Sequence, residues 1–350
     1  MVETFTPPEW LVEGVLQRRF VYSLTGQTGH AKTAIALHIA ELVASTSIEG
    51  PKLGTHRVEK GRVFYLVGEN PDDVTMRIIG SLSVRPQPHD WRIHFACGVF
   101  DIAASFAALS SAAMELRGVD LIVVDTSAAY YPGVDENSNT EIGAHARNLR
   151  TLTTLPGEPC VLVLCHPVKY ITDVDHLLPR GGGAFLAEMD GNLTLRRISD
   201  GSGIIELHHN KIRGPGFDPL TFRLAKVTTE KLVDAKGNMI PTVRAEPVTA
   251  FEAEVEQGKS LDDEDHVLVA MLENPGASIS SLAEFLSWFF SSGEPAKSRV
   301  QRALERLEKD RLVKKQRGTV WELTDAGKAA ARKASLKPEF NENRTAYRTD

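Results

Sequence analysis

Residues Gly26–Thr33 read GQTGHAKT. They come after the apolar run FVYSL (residues 20–24) and lead into TAIALHIAELVA (residues 33–44), which is rich in strong helix formers. A strand, a glycine turn and a helix in this order make a phosphate cradle, because the glycines bring bare backbone to the anion and the first N–H groups of the helix point at it. The loop pattern G-x-x-x-x-G-K-[ST] is met except that Ala31 stands where its second glycine belongs. Lys32 is then placed to reach the β- and γ-phosphates of ATP and Thr33 to bind Mg²⁺, with Gly26, Gln27, Thr28, Gly29, His30 and Ala31 forming the rest of the cradle. The flanking strand and helix predict ordinary helix-compatible dihedrals for Ala31. A positive φ there would cost an alanine about 1 kcal/mol or more.

Three more apolar runs lie downstream: RVFYLV (62–67), DLIVVD (120–125) and CVLVLC (160–165). Each is apolar at consecutive positions, as expected of parallel strands covered by helices on both faces, and the pattern predicts an α/β layered domain. Ligands of such sheets sit beyond the carboxyl ends of the strands. Glu69 stands there after the second run, suited to orient a water against the γ-phosphate. Asp125 ends the third, suited to hold hydrated Mg²⁺. His166 comes directly after the fourth, where an imidazole can sense the γ-phosphate. Each taken singly is equally a helix cap or an exposed polar group. Four such groups at four strand ends point to one site.

Farther on, LTFRLAKVTTEKLVDAKGNMIPTVRAEPV (220–248) reads as an antiparallel ribbon around DAKGN. EAEVEQGKSLDDEDH (252–266) is acidic and thin in large apolar residues, which predicts a linker. The texture then changes to helical periodicity in HVLVAML, SISSLAEFLSWF and AKSRVQRALERLEKDRLV, and VKKQRGTVWELT reads as two short strands with a turn. Three helices and a hairpin predict a winged helix-turn-helix. The expected organisation is therefore an ATPase domain over 1–250, a linker over 251–264, a winged-helix domain over 265–336 and a disordered tail over 337–350. In the winged helix, Lys297, Arg299, Arg302 and Arg306 are expected on the open face of the last helix, for duplex DNA in the major groove, with Lys314, Lys315 and Arg317 of the wing on phosphates.

At 350 residues and 42% hydrophobic content, the chain has material for a sizeable core and for two domains. The net charge of −6 provides no global attraction to nucleic acid or anionic membranes, so such contacts must be local. With no stretch long enough to span a bilayer and no leader, the expectation is a cytoplasmic protein without membrane contact. Cys97, Cys160 and Cys165 suit a reducing compartment, and the odd separation of the last two along a strand points them to opposite faces.

With these residues placed, the sequence from about Thr6 to Val248 resembles the RecA-like P-loop ATPases, in the branch of the plasmid RepA helicases and the DnaB-type hexameric replicative helicases. GENPDDVTMRI (68–78) looks like that family's catalytic glutamate and the helix after it, and PEWLVEGVLQRRFVYSLTG (8–26) like the lead-in to its domain. The resemblance implies a RecA-like core with a mostly parallel sheet, ATP and Mg²⁺, and a homo-oligomer, a hexamer. It matches His166 to the histidine or glutamine that closes the fourth strand. RGGGAFLAEMDGNLTL, with Arg180, Gly181, Gly182 and Gly183, matches the loop that faces the channel and touches single-stranded DNA. Lys211 and Arg213 in NKIRG match the pair projecting from one subunit into its neighbour's nucleotide. Ala31 departs from the family's loop, and only a short lead precedes that loop, so a DnaB-type helical N-terminal domain and its loader contacts are not carried over. The implied activity is ATP-driven strand separation in the replication of a plasmid, phage or mobile element. The alternatives are a non-motor ATP switch that recruits DNA or a partner, and, weakened by Lys211-x-Arg213 and the basic appended domain, a small-molecule phosphotransferase.

Overall fold

The computed structural model describes residues 7–336 apart from 86–91, 136–137, 169–172, 174–175, 199–202, 291–292 and 316–319, with backbone only at 250–251 and 254–261. Arg317 and the tail 337–350 therefore lie outside the described residues. The chain divides into two compact units at the bond between Thr249 and Ala250.

The first unit is built on a nine-stranded sheet. All four sequence-predicted runs are in it, as β3 (Val21–Thr25), β6 (Val63–Val67), β8 (Leu121–Asp125) and β9 (Cys160–Cys165). They are joined by β7 (Ile93–Cys97), β10 (Gly191–Arg197), β11 (Ile204–Ile212), β12 (Leu220–Val227) and β13 (Thr242–Pro247). The spatial order is β13-β12-β11-β10-β3-β9-β8-β6-β7. From β10 to β7 the strands are parallel, and β11, β12 and β13 extend the sheet antiparallel, β12 and β13 being the expected ribbon. Two small hairpins, β1 (Trp10–Val12) with β2 (Leu16–Gln17) and β4 (Lys52–Leu53) with β5 (His56–Arg57), lie in the segments before β3 and before β6.

Side-chain alternation explains why the runs are apolar throughout. Val63, Tyr65 and Val67 enter one core while Phe64 and Leu66 enter the other, and Cys160 and Cys165 likewise part to opposite cores. The first core is closed by α1 (Lys32–Val43) and α2 (Pro71–Val84), the second by α3 (Ile102–Glu115), α4 (Asn139–Thr151) and α5 (Gly182–Glu188). α2 begins where the letters ENPDD predict: Asn70 caps it by accepting from Asp73 N at 3.2 Å, and Pro71 takes the first turn, where its missing N–H is harmless.

The second unit consists of α6 (Ala250–Glu273), α7 (Ile279–Phe285), α8 (Lys297–Lys309), the antiparallel pair β14 (Val313–Lys315) and β15 (Trp321–Leu323), and α9 (Asp325–Ala334). Val267, Leu282, Val300, Leu304, Leu307, Trp321 and Ala331 bring these elements into one core. Two expectations need correction. Residues 251–264 are helical, forming the first part of α6, because Asp263 and Glu264 are held by Arg299 and Arg306 from α8. A fourth helix, α9, comes after the hairpin; Thr324 caps it by accepting from Gly327 N at 3.0 Å. Among the described residues no helix is long and apolar enough to cross a membrane.

Candidate active site

The parallel register ends Thr25, Cys165, Asp125 and Val67 along one edge of the sheet, since Thr25 pairs with Cys165 and Val67 with Asp125. The residues just past each strand are thereby gathered: the loop 26–31, His166, Thr126 and Glu69.

Lys32 opens α1 and is 8% exposed. Its Nζ donates to Gly26 O at 2.7 Å and Gln27 O at 3.2 Å, so the ammonium is folded back under the loop. Burial lowers its pKa, opposed by the carboxylates of Asp125 and Glu69. Gly29 (φ 81°) turns the loop, and Arg197 Nη2 holds its carbonyl at 2.8 Å. Ala31 is the N-cap of α1 at φ 65° and ψ 22°, left-handed, with no side-chain cap. The expectation of helix-compatible dihedrals is thus overturned. The chain must reverse between the loop and α1 for the N–H groups of the first turn to face inward, and that reversal falls on residue 31, where the pattern has glycine.

Asp125, 2% exposed, accepts from Tyr65 Oη at 2.9 Å. Burial raises its pKa to about 6 against the lowering effect of hydrogen bonds from Tyr65 and Thr33. Thr33, the second residue of α1, is thereby on the Asp125 side of the loop. Glu69 is fixed from both ends: its N–H donates to Asp125 O at 3.2 Å, and its Oε2 accepts from Thr126 Oγ1 at 3.0 Å. His166 Nε2 lies 3.7 Å from the same Oε2. Burial, then the charge of Lys32, lowers the His166 pKa, with Glu69 pulling it back. Lys32, Thr33, Glu69, Asp125 and His166 are one constellation. Thr126, Tyr65 and Arg197 belong to it too and are not expected from the sequence. The only signal for Thr126 is a hydroxyl directly after the strand-end aspartate.

Lys211 and Arg213 are not part of that constellation within one chain. Ile212 at the end of β11 pairs with Gly191, which pairs with Tyr22, so Arg213 sits at the edge where the parallel strands begin. Four strand residues separate that edge from Thr25, roughly 13 Å. Arg213 donates its N–H to Asp190 O at 3.0 Å and places Nη1 3.2 Å from Asp190 Oδ1, while Lys211 Nζ donates to Leu186 O at 2.7 Å. Asp190, its side chain 2% exposed, also accepts from Val21 N at 3.0 Å and meets Arg150 at 3.0 Å.

The segment Arg180–Gly183 differs from the open loop expected. Gly181 (φ 90°) caps α5, Gly182 and Gly183 form its first turn, and Arg180 N donates to His166 O at 2.8 Å. A Cβ on Gly181 would come within 2.6 Å of Ile142, so this glycine serves packing against α4. In the second unit Arg299 is engaged internally, with two hydrogen bonds to Asp263 at 2.6 and 3.0 Å and its guanidinium 4.0 Å above the Trp288 ring. Arg306 is buried against Glu264 at 2.6 Å. Both correct the expectation of free cations, because the acidic stretch of α6 is their partner. Lys297, Arg302, Lys314 and Lys315 are exposed.

A family model described as an AAA domain matches residues 2–170, just under half of the chain. A comparison with curated proteins returns no match. Among solved structures, the chain is similar to one titled as an ATPase domain, at 14% sequence identity and a TM-score of 0.43, over 64% of this chain and 85% of that one.

Proposed function

We propose that the chain is an Mg²⁺-dependent ATPase of RecA-like type that assembles into a ring, a hexamer, and acts on DNA as a helicase in the replication of a plasmid, phage or mobile element. The observation that carries this reading is the placement of charge on the sheet: Lys32, Thr33, Glu69, Asp125 and His166 gather at one edge and Arg213 stands at the other. In a head-to-tail interface one edge meets the opposite edge of the next copy, and such interfaces form rings when the rotation between copies closes. Arg213 of one subunit then faces the phosphates held by Lys32 of its neighbour, where a guanidinium stabilises charge developing on the transferred group. The AAA-domain match over 2–170 supports the ATPase part.

Thr33 and Asp125 would hold Mg²⁺. The donors fit: a buried carboxylate and a nearby hydroxyl are hard oxygen ligands, suited to an ion that keeps several waters and the substrate's phosphates. Bound there, the ion neutralises phosphate charge. Glu69 orients the attacking water, with Thr126 fixing its carboxylate through Oε2, and His166 stands beside the same oxygen.

For DNA, the exposed Lys297, Arg302, Lys314 and Lys315 support a winged helix on duplex, and Arg180–Gly183 the single strand. A second reading, the non-motor ATP switch, draws on the helical start of α5, where Gly182 and Gly183 are built into a turn. One experiment separates them: ATPase rate with and without single-stranded DNA, a forked-duplex unwinding assay, and the mass of the assembly with nucleotide, each repeated with Glu69→Gln. A ring whose turnover rises with DNA and which opens the fork supports the motor. A slow ATPase that never opens it supports the switch, and turnover unchanged in Glu69→Gln overturns the site.

A further inference from the structure

About 9 Å along α1 from Lys32 a second polar site opens on the sheet. α1 and α2 pack against β13 there and leave a small cavity of about 10 Å³, room for a single small ion or water, that reaches solvent. Arg244 of β13 lines it at 5% exposure, and its Nε and both Nη atoms have no hydrogen-bond partner among the described residues. His38 of α1, 3% exposed with its ring against Phe222, brings a second unpartnered nitrogen, Nε2, to the same cavity.

A guanidinium stays charged at any accessible pH, and leaving one buried without an acceptor is among the largest penalties a fold can carry. The neighbouring carboxylates do not meet that need. Glu246 Oε1 is 3.7 Å from Arg244 Nε, too far for a hydrogen bond, and its Oε2 is held by Arg223 at 3.0 Å. Arg77 is committed to Asp73 at 2.6 Å and to Val243 O at 3.3 Å. Glu41 lines the same cavity without a hydrogen bond to Arg244. Arg77 is set against Asp73 and Glu246 is divided between Arg223 and Arg244, while Arg85 adds a further positive charge beside Glu41.

We propose that this cavity binds a small monovalent inorganic anion of the chloride class, with Arg244 as its principal ligand and His38 as a second donor. A spherical anion accepts from diverging N–H groups without the alignment a planar oxyanion requires. Glu41 disfavours phosphate, whose extra charge it repels, and the apolar wall of Ala34, Leu37 and Val243 favours an ion that sheds water readily. The ion ties α1, which starts at Lys32, to β13 at the edge of the sheet, and so fixes the spacing of the two.

Crystals of the full chain in sodium bromide, measured at the bromine edge, should show an anomalous peak in contact with the Arg244 guanidinium. In solution, exchanging sodium gluconate for sodium chloride at constant ionic strength should raise the unfolding midpoint of the first unit by roughly 5–9 °C at a fifty-fold excess over Kd. Arg244→Met should lose that rise. Glu41→Gln, which removes a negative charge from the cavity wall, should tighten the apparent Kd for chloride about tenfold. A water with no bromide peak at Arg244 overturns the assignment, as does an equal chloride-dependent rise in Arg244→Met. If Arg244→Met does not fold, Glu41→Gln decides, and an unchanged Kd in it overturns the assignment.

Discussion

Thr126 donates its hydroxyl hydrogen to Glu69 Oε2 at 3.0 Å, tying the residue after Asp125 to the carboxylate beyond the neighbouring strand. The two halves of the candidate active site are thereby braced across β6 and β8 rather than along the chain.

That brace gives the first prediction. Thr126→Val keeps the shape and removes the donor, so Glu69 loses its orientation but not its charge. Turnover should fall by roughly tenfold or more with little change in KM for ATP, and Thr126→Ser should restore most of it. Steady-state kinetics of the three proteins check this; a rise in KM alone would place Thr126 in binding.

Ala31 at φ 65° gives the second. Ala31→Gly relieves the left-handed strain but adds freedom to the unfolded chain, for a net stabilisation of up to about 1 kcal/mol. Ala31→Val, with a branched side chain at the same φ, should destabilise by at least as much and weaken nucleotide binding. Chemical denaturation and nucleotide titration read both effects.

Two buried histidines set an acid limit on the first unit. Burial lowers the pKa of His38 to about 3 and of His145, bonded to Ser127 at 3.0 Å, to about 4, from an ordinary 6.5. As pH falls below about 6.5 the unfolded chain takes up the protons first, so stability is fully present above that value and declines as pH drops toward the folded pKa. Each histidine should remove up to about 1.4 kcal/mol per pH unit. His145→Gln should flatten the slope of unfolding free energy between about pH 6 and 4; an unaltered slope would show that His145 already titrates normally in the fold.

Arg213 should act between subunits. Arg213→Ala and Lys32→Ala proteins, each inactive, should regain part of the activity when mixed, because some interfaces then pair an intact loop with an intact arginine. Mixed rings that form, by mass, yet stay inactive would place Arg213 elsewhere. Asp190→Asn, which loosens the Arg213 anchor, should lower turnover without weakening nucleotide binding.

The cations of α8 should separate by role. Neutralising Arg302 together with Lys314 should reduce the salt dependence of duplex binding by roughly one unit per lost phosphate contact. Arg299→Ala should instead destabilise the second unit by about 1 kcal/mol and leave that slope unchanged, since it loses Asp263 and the Trp288 face. A salt titration beside a melting curve distinguishes them.

The parallel strands, the helices over both faces and the residues at the strand ends were legible in the order of the letters. Apolar runs without alternation, such as VFYLV and LIVVD, are local patterns, and a strand buried on both faces has no other way to be written. Because every parallel strand starts at one edge and ends at the other, Lys32, Glu69, Asp125 and His166 could be assigned to one edge from chain order alone. Strand order came from long-range packing instead. It set β3 between β9 and β10, brought Arg197 onto Gly29, and put Arg213 on the edge away from Lys32. The dihedrals of Ala31, the Asp263–Arg299 pairing within an expected linker, and the lack of a hydrogen bond to the Arg244 guanidinium among the described residues were likewise beyond sequence reading. Periodicity records which side chains leave water. Which partner each one then meets, tens or hundreds of residues away, depends on packing that exists only once the chain has folded.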